Sequence, residues 1–370
     1  MASLQKYTAK TARSGYMWRV QYRDAAGRSR TKSGFRTKDA AQAWADDNAV
    51  SVRAGDWISP EDQRVTLTEV WHRWKISRQK QLAVSSWRTL EAAWRNHIEP
   101  VWGHRAVASV HPAEVQDWVN KLDRAPSTVH RAFHLLRSLS DDAVRLRQMR
   151  TNPCVGVQLP SRQKSKNTTL TPGQVSLLIE QTNRYKSLVA FLAYTGARWG
   201  EAAALTVADV DLEKQRATIT KSASTIGGQV TVGDTKTGAS RSIAIPTPVI
   251  SHLKKAMKDK LPTALLWTNQ NGTHVTTPSR RSWWHSAVDA CRELDNSFPS
   301  VTPHDLRHAA ASMLISAGAS VLVVQRQLGH SSAKMTLDKY SHLFDSDLDA
   351  IVDAFPQSRE NVVKHGEMQR

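Results

Sequence analysis

The sequence predicts a mainly α-helical protein with small antiparallel β-sheets. Three observations predict it. An alternating segment near the N-terminus, Tyr16, Trp18, Val20 and Tyr22, has the period of a strand. Helical patterns with start and stop signals then fill residues 66 to 150. After residue 170, helical stretches surround a short run of strand-like segments. The expected order is a sheet-plus-helix module over 1–58, a helical domain over 65–160, a mixed α/β domain over 170–356 and a tail over 357–370.

In the first module, Ala25-Ala26-Gly27 reads as a hairpin turn and Arg28 to Phe35 as the returning strand. Residues 37–53 read as a helix with Ala41, Trp44 and Ala45 on one face. Gly55 and Pro60 mark a linker. In the helical domain, Thr66 and Glu69 form a capping box that opens a helix through Arg78. A second helix spans Ser86 to Ile98 and is stopped by Pro100. Pro112 starts a third, and Ser127 caps a fourth that carries Phe133, Leu136, Leu139 and Val144. The polar, basic run 161–169 reads as a linker.

In the last domain Thr171-Pro172 starts a helix. Leu188 to Tyr194 is apolar and helical, breaks at Gly196 and resumes at Arg198. Strands are expected over 216–221, 229–232 and 241–245, the last two flanking a turn with Lys236 at its tip. Helices follow over 247–258, 278–292, 302–317, 320–328, 333–343 and 345–354.

Lys and Arg number 51 against 33 Asp and Glu, a net charge of +18, which calls for a polyanionic partner, nucleic acid first. Residues 1–38 carry ten basic side chains against the single acid Asp24, half of that excess. A basic two- or three-stranded sheet suits a DNA groove. The two cysteines, Cys154 and Cys291, lack disulfide or zinc spacing. There is no apolar signal core and no run of the ~18 apolar residues that a membrane span needs. The expected location is a bacterial cytoplasm or nucleoid, with no membrane association.

The last domain also holds a dispersed set of chemically able residues: Arg198 after the glycine break, Lys236, His304 and Arg307 three apart on one helix, His330 after Leu328-Gly329, and Tyr340 ten residues later. These are the parts that phosphodiester transfer through tyrosine needs. Two guanidiniums grip phosphoryl oxygens bidentately. A histidine moves protons near neutral pH. A lysine protonates the departing sugar oxygen, and cations assist the deprotonation of a tyrosine whose ordinary pKa is ~10.

In these contexts (T-G-x-R-x-x-E, H-x-L-R-H, L-G-H-S-S, then Tyr) the chain resembles the tyrosine recombinase family, and within it the phage-type integrases with an N-terminal arm-site-binding domain. The resemblance runs from about residue 65 to 350. It implies a helical core-binding (SAM-like) domain and a catalytic tyrosine recombinase domain. It also implies that Tyr340 attacks the scissile phosphate and leaves a 3′-phosphotyrosine and a 5′-hydroxyl. Arg198 and Arg307 would stabilise the transition state, His304 would assist proton transfer, and His330 would bond a phosphoryl oxygen. Lys236 would be the general acid, with Lys221 as the alternative, and Glu201 would orient the cations. His308 is expected to buttress its helix, and Trp283 and Trp284 to pack in the core.

The implied partners are double-stranded DNA with core-type and arm-type attachment sites, further copies of the chain in a homotetramer, a host DNA-bending protein and an excisionase. No cofactor is expected, because the covalent intermediate conserves bond energy. The sequence also has no phosphate-binding glycine loop and no acidic cluster with metal-ligand spacing. The stripe Phe344, Leu348, Ile351, Val352 and Phe355 would pack in its own domain or on a neighbouring protomer.

Overall fold

The computed structural model describes residues 2–9, 15–161, 168–235, 240–279 and 281–344. The chain divides into two compact units, Met1–Lys164 and Ser165–Arg370.

The first unit opens with β1 (Ser3–Thr8), β2 (Tyr16–Arg23) and β3 (Ser29–Phe35), an antiparallel sheet in that order, followed by α1 (Lys38–Ala54). Strand β1 is not legible from the sequence, because its alternation is polar. Register pairs Leu4 with Val20 and Val20 with Lys32. Val20 and Tyr22 are buried with Ala41 and Ala45 of α1, and Leu4, Trp18, Phe35, Trp44 and Trp57 pack around them. Asp24 shapes the β2–β3 turn. Its carboxylate accepts from the backbone of Ala26 and Arg28 and from the side chains of Arg28 and Arg30. These donors hold the carboxyl below the usual range despite its burial. The Thr37 hydroxyl caps α1.

Five helices follow: α2 (Leu67–Gln79), α3 (Val84–Ala93), α4 (Glu99–Trp102), α5 (Pro112–Lys121) and α6 (Pro126–Arg145). The Thr66–Glu69 capping box is formed. Two expectations are corrected. Pro100 does not end the second helix: a π-turn over Trp94–Ile98 intervenes, and α4 then restarts with Pro100 in its first turn, where a missing N–H costs nothing. Ser127 is not the cap of α6; Ala125 holds that position and Pro126 is the first helical residue. The core of these helices is rich in indole. Trp71 lies near-parallel to Trp94, Trp87 and Trp74 at centroid distances of 4.8, 5.5 and 5.8 Å.

The second unit comprises α7 (Pro172–Gln181), α8 (Lys186–Thr195), α9 (Trp199–Ala204), β4 (Val210–Asp211), β5 (Arg216–Ile219), β6 (Lys221–Ile226), β7 (Gln229–Asp234), β8 (Arg241–Ala244), α10 (Thr247–Met257), α11 (Trp283–Leu294), α12 (Asp305–Ser316), α13 (Val321–Leu328) and α14 (Ala333–Tyr340). Helix α8 is buried along nearly its whole length, and Trp284 lies in the same core with Trp283 packed against it.

The strands correct a further expectation. β7 and β8 do not pair with each other: β7 pairs with β6 across Gly227-Gly228, while β8 joins β5 in a sheet of order β4-β5-β8. Both glycines have positive φ, which a tight hairpin demands. Lys236 and the rest of 236–239 lie outside the described residues, as do the C-terminal stripe beyond Phe344 and the helix expected over 345–354.

Candidate active site

Arg198 stands at the start of α9, just after the glycine that ends α8. Gly196 is left-handed, at φ 67°, and closes α8 by donating its N–H to Leu192. A Cβ here would collide with Leu328 Cδ2, so the turn needs glycine for both conformation and space. The Gly196 carbonyl accepts from Arg307 Nη1 at 2.7 Å. A second left-handed glycine, Gly329 at φ 68°, ends α13, and its carbonyl accepts from Arg198 Nη2 at 2.9 Å. Each of the two arginines is thus fastened to the glycine-ended C-terminus of another helix, where carbonyls lack helical partners.

Glu201 lies one turn after Arg198 and is buried. It accepts from the Arg198 backbone at 2.9 Å and from Arg198 Nη1 at 2.8 Å. It also takes both terminal nitrogens of Arg241, at 2.9 and 2.6 Å. Burial alone would raise its carboxyl, but Arg241 and Arg198 outweigh it and hold the group below the carboxylate range. Arg307 is almost fully buried. Desolvation, and then the nearby charge of Arg198, push its guanidinium down to about 10, still protonated at neutral pH.

His304 is the residue before α12, and its ring meets His308 edge-on at 5.3 Å. His308 Nδ1 lies 2.7 Å from the Tyr340 hydroxyl. His330 stacks near-parallel to the Tyr340 ring at 6.4 Å, and its Nδ1 lies 2.8 Å from the buried Thr336 hydroxyl. Burial first, and the surrounding cations second, press all three histidines toward the neutral form. His308 and His330 are pushed down to about 4. Tyr340 is 3% exposed, and burial raises its hydroxyl to about 12 against the opposing pull of Arg307. Without phosphate the site therefore holds a protonated phenol, neutral imidazoles and a surplus of guanidinium charge.

Of the six residues expected from the sequence, five gather here: Arg198, His304, Arg307, His330 and Tyr340. Lys236 lies outside the described residues, and Lys221, its alternative, is the exposed first residue of β6. Three participants were not anticipated in their roles. Arg241 grips Glu201. His308 bonds the tyrosine hydroxyl; its position four residues after His304 is the signal that could have found it. Gln327 ties α13 to β8 through the Ala244 backbone and to the end of α8 through the Thr195 carbonyl. Nothing in the local pattern distinguishes Gln327 or Arg241. No group of metal-binding residues occurs among the described residues.

The chain is similar to known proteins over most of its length. Residues 168–347 match the phage integrase family, and residues 66–122 match the phage integrase N-terminal SAM-like domain. The integrase of Mycobacterium phage L5 is 26% identical over 337 residues, 86% of this chain and 88% of that protein. The tyrosine recombinase XerA of Pyrococcus furiosus is 28% identical over 213 residues, 56% of this chain and 64% of that one. Among solved structures, the integrase of transposon Tn1549 in complex with a circular intermediate DNA superposes with a TM-score of 0.70 at 20% identity. That match covers 78% of this chain and 99% of that one, a likeness of fold. The chain belongs to the phage integrase family and is a tyrosine recombinase, an enzyme of site-specific DNA recombination.

Proposed function

We propose that this recombinase integrates and excises a phage or related mobile genome at attachment sites, cutting DNA with Tyr340. The observation that carries the reading is the convergence of Arg198 and Arg307, each fastened to a glycine carbonyl, with the Tyr340 hydroxyl and three neutral histidines. A phosphodiester anion is the ligand that such a surplus of guanidinium charge suits.

The Tyr340 oxygen bonds to phosphorus, and the bond from phosphorus to the 5′-oxygen breaks, giving a 3′-phosphotyrosine. The phenol proton has a neutral acceptor beside it in His308 Nδ1. Arg198 and Arg307 bind the charge that grows on the phosphoryl oxygens, an effect whose loss costs ~10²–10³ in rate per donor. His330 bonds a phosphoryl oxygen, and His304 assists proton transfer. Lys236, or failing it Lys221, protonates the departing 5′-oxygen. Religation reverses these steps with the 5′-hydroxyl of another strand, and the conserved bond energy makes ATP unnecessary.

In this reading residues 65–160 and 170–356 hold core-type sites, and residues 1–58 bind arm-type sites. The face of the N-terminal sheet turned away from α1 supports the second assignment. There Arg19 donates to Gln5, which donates to Gln21, a row of side chains able to bond base edges. Holding two kinds of site makes the chain bivalent. A homotetramer assisted by a host DNA-bending protein and an excisionase completes the assembly, since sharp bending costs several kcal/mol.

The test is to isolate DNA covalently attached to the protein from cells carrying the element, and to sequence it. A single recurrent junction joined to Tyr340 is expected, with no adduct from Tyr340→Phe. Absence of any adduct from the unaltered protein removes the reading. Relaxation of supercoils without strand exchange between two partner sites would replace it with a topoisomerase.

A further inference from the structure

Glu201 has two oxygens, and four donor groups of two arginines compete for them. Arg241 takes one oxygen with each terminal nitrogen, at 2.9 and 2.6 Å. Arg198 reaches the same carboxylate by its backbone N–H and by Nη1 alone, and its Nη2 is turned to the Gly329 carbonyl. The carboxylate is 1% exposed, so water does not share its charge. Two nearby guanidiniums and one buried carboxylate would ordinarily settle into the best bidentate pair available. Here Arg241, from strand β8, occupies that arrangement.

Arg241 is fixed from a second side. A Cβ on Gly329 would lie 2.6 Å from its Cζ and 2.6 Å from its Nε, so the guanidinium rests directly against the glycine whose carbonyl holds Arg198. The same arginine therefore bounds both anchors of Arg198, the carboxylate and the carbonyl.

We propose that Arg241 is a positioning residue for Arg198: by occupying both oxygens of Glu201 it limits Arg198 to one side-chain ion pair and keeps the rest of that guanidinium for the scissile phosphate. The inference rests on the assignment of Arg198 to the phosphate. Removing Arg241 leaves Glu201 as an underpaired buried carboxylate, and Arg198 closes onto it with both nitrogens. DNA binding, spread over many contacts, changes little, while the chemical step slows.

The test uses the full-length chain and a nicked duplex carrying the junction recovered by adduct sequencing. Arg241→Met is expected to slow covalent adduct formation by about 10²-fold or more, the cost of one misplaced donor, with duplex affinity within about threefold of the unaltered protein. Arg241→Met combined with Glu201→Gln is expected to recover at least about tenfold of that loss, because a neutral amide holds a guanidinium far more weakly than a carboxylate does. A merely structural ion pair would not be rescued by removing its second half, so a double variant no faster than Arg241→Met overturns the proposal.

Should Arg241→Met fail to fold, Arg241→Lys keeps the charge but makes only a point contact. It is expected to be slowed at least about tenfold and relieved by Glu201→Gln, and adduct formation at the unaltered rate overturns the proposal. A crystal structure of the foldable variant without DNA gives a reading independent of cleavage. Arg198 bonded to both oxygens of Glu201 is expected, and Arg198 unmoved overturns the proposal. No adduct from the unaltered protein would instead count against the assignment of the site itself.

Discussion

His308 and His330 make the stability of the catalytic unit depend on pH. Each has an ordinary pKa of ~6.5 in the unfolded chain and about 4 in the fold, so the unfolded state binds more protons between those values. Their contribution is present above about pH 6.5 and is lost as pH falls toward 4. Each shift is worth about 3 kcal/mol, and the two add incompletely because they share neighbours. Urea melts of the DNA-free protein from pH 7.5 to 4.5 should show the midpoint falling, with a shallower fall in His330→Gln. An equal slope in that variant would place the protons elsewhere. Gly196→Ala forces a Cβ onto Leu328 at a positive φ and is expected to destabilise by about 2 kcal/mol or more, read as a lowered Tm. At this scale the sequence was most informative where side-chain chemistry is unusual. Arg198, His304, Arg307, His330 and Tyr340 were legible because their order and flanking glycines are specific. Arg241 and Gln327 were not, because their roles depend on which strands and helices meet, and no local pattern encodes that.

Helix ends carry most of the positioning. The C-termini of α8 and α13 present the carbonyls that hold the two arginines, and Gln327 joins α8, α13 and β8 through three hydrogen bonds. Gln327→Leu leaves those backbone groups buried without their partner. A loss of about 2–3 kcal/mol is expected in denaturant unfolding, together with slower adduct formation because Gly329 loses its brace. Unchanged kinetics with lowered stability would show that α13 holds its place by packing alone. Most helices were legible from capping residues and apolar period. The exceptions have physical causes. The π-turn over Trp94–Ile98 lets the chain pass Pro100 by restarting a first turn, which a proline rule reads as a stop. The pairing of β6 with β7 hinges on Gly227-Gly228, a stronger hairpin signal than the threonine-rich sequence after Asp234.

Across the whole molecule, charge is the dominant feature, with half of the +18 excess within the first 38 residues. Neutralised phosphates release counterions, so duplex affinity should fall steeply with salt, at a log–log slope of about −0.9 per phosphate contacted. Replacing the exposed Lys6, Arg23, Lys32 and Arg36 with alanine should flatten that slope by up to about 3–4 for arm-site duplexes. Adduct formation on short core-site duplexes should stay at the unaltered rate. Anisotropy titrations between 50 and 200 mM salt, as about the range over which such effects are large, read the slope; no flattening would remove the N-terminal sheet from the DNA contacts. The first unit also has an optical signature of its own. Around Trp71 three further indoles lie near-parallel within 6 Å, close enough for their ultraviolet transitions to couple. The first unit therefore carries an intrinsic chromophore whose circular dichroism exists only while its helices are packed. Among the described residues, the indoles of the second unit form no such parallel stack: Trp283 meets Trp284 edge-on at 5.8 Å, and Trp267 and Trp284 are each bonded through the ring N–H. The unfolding of the first unit can thus be followed in the intact, unlabelled chain.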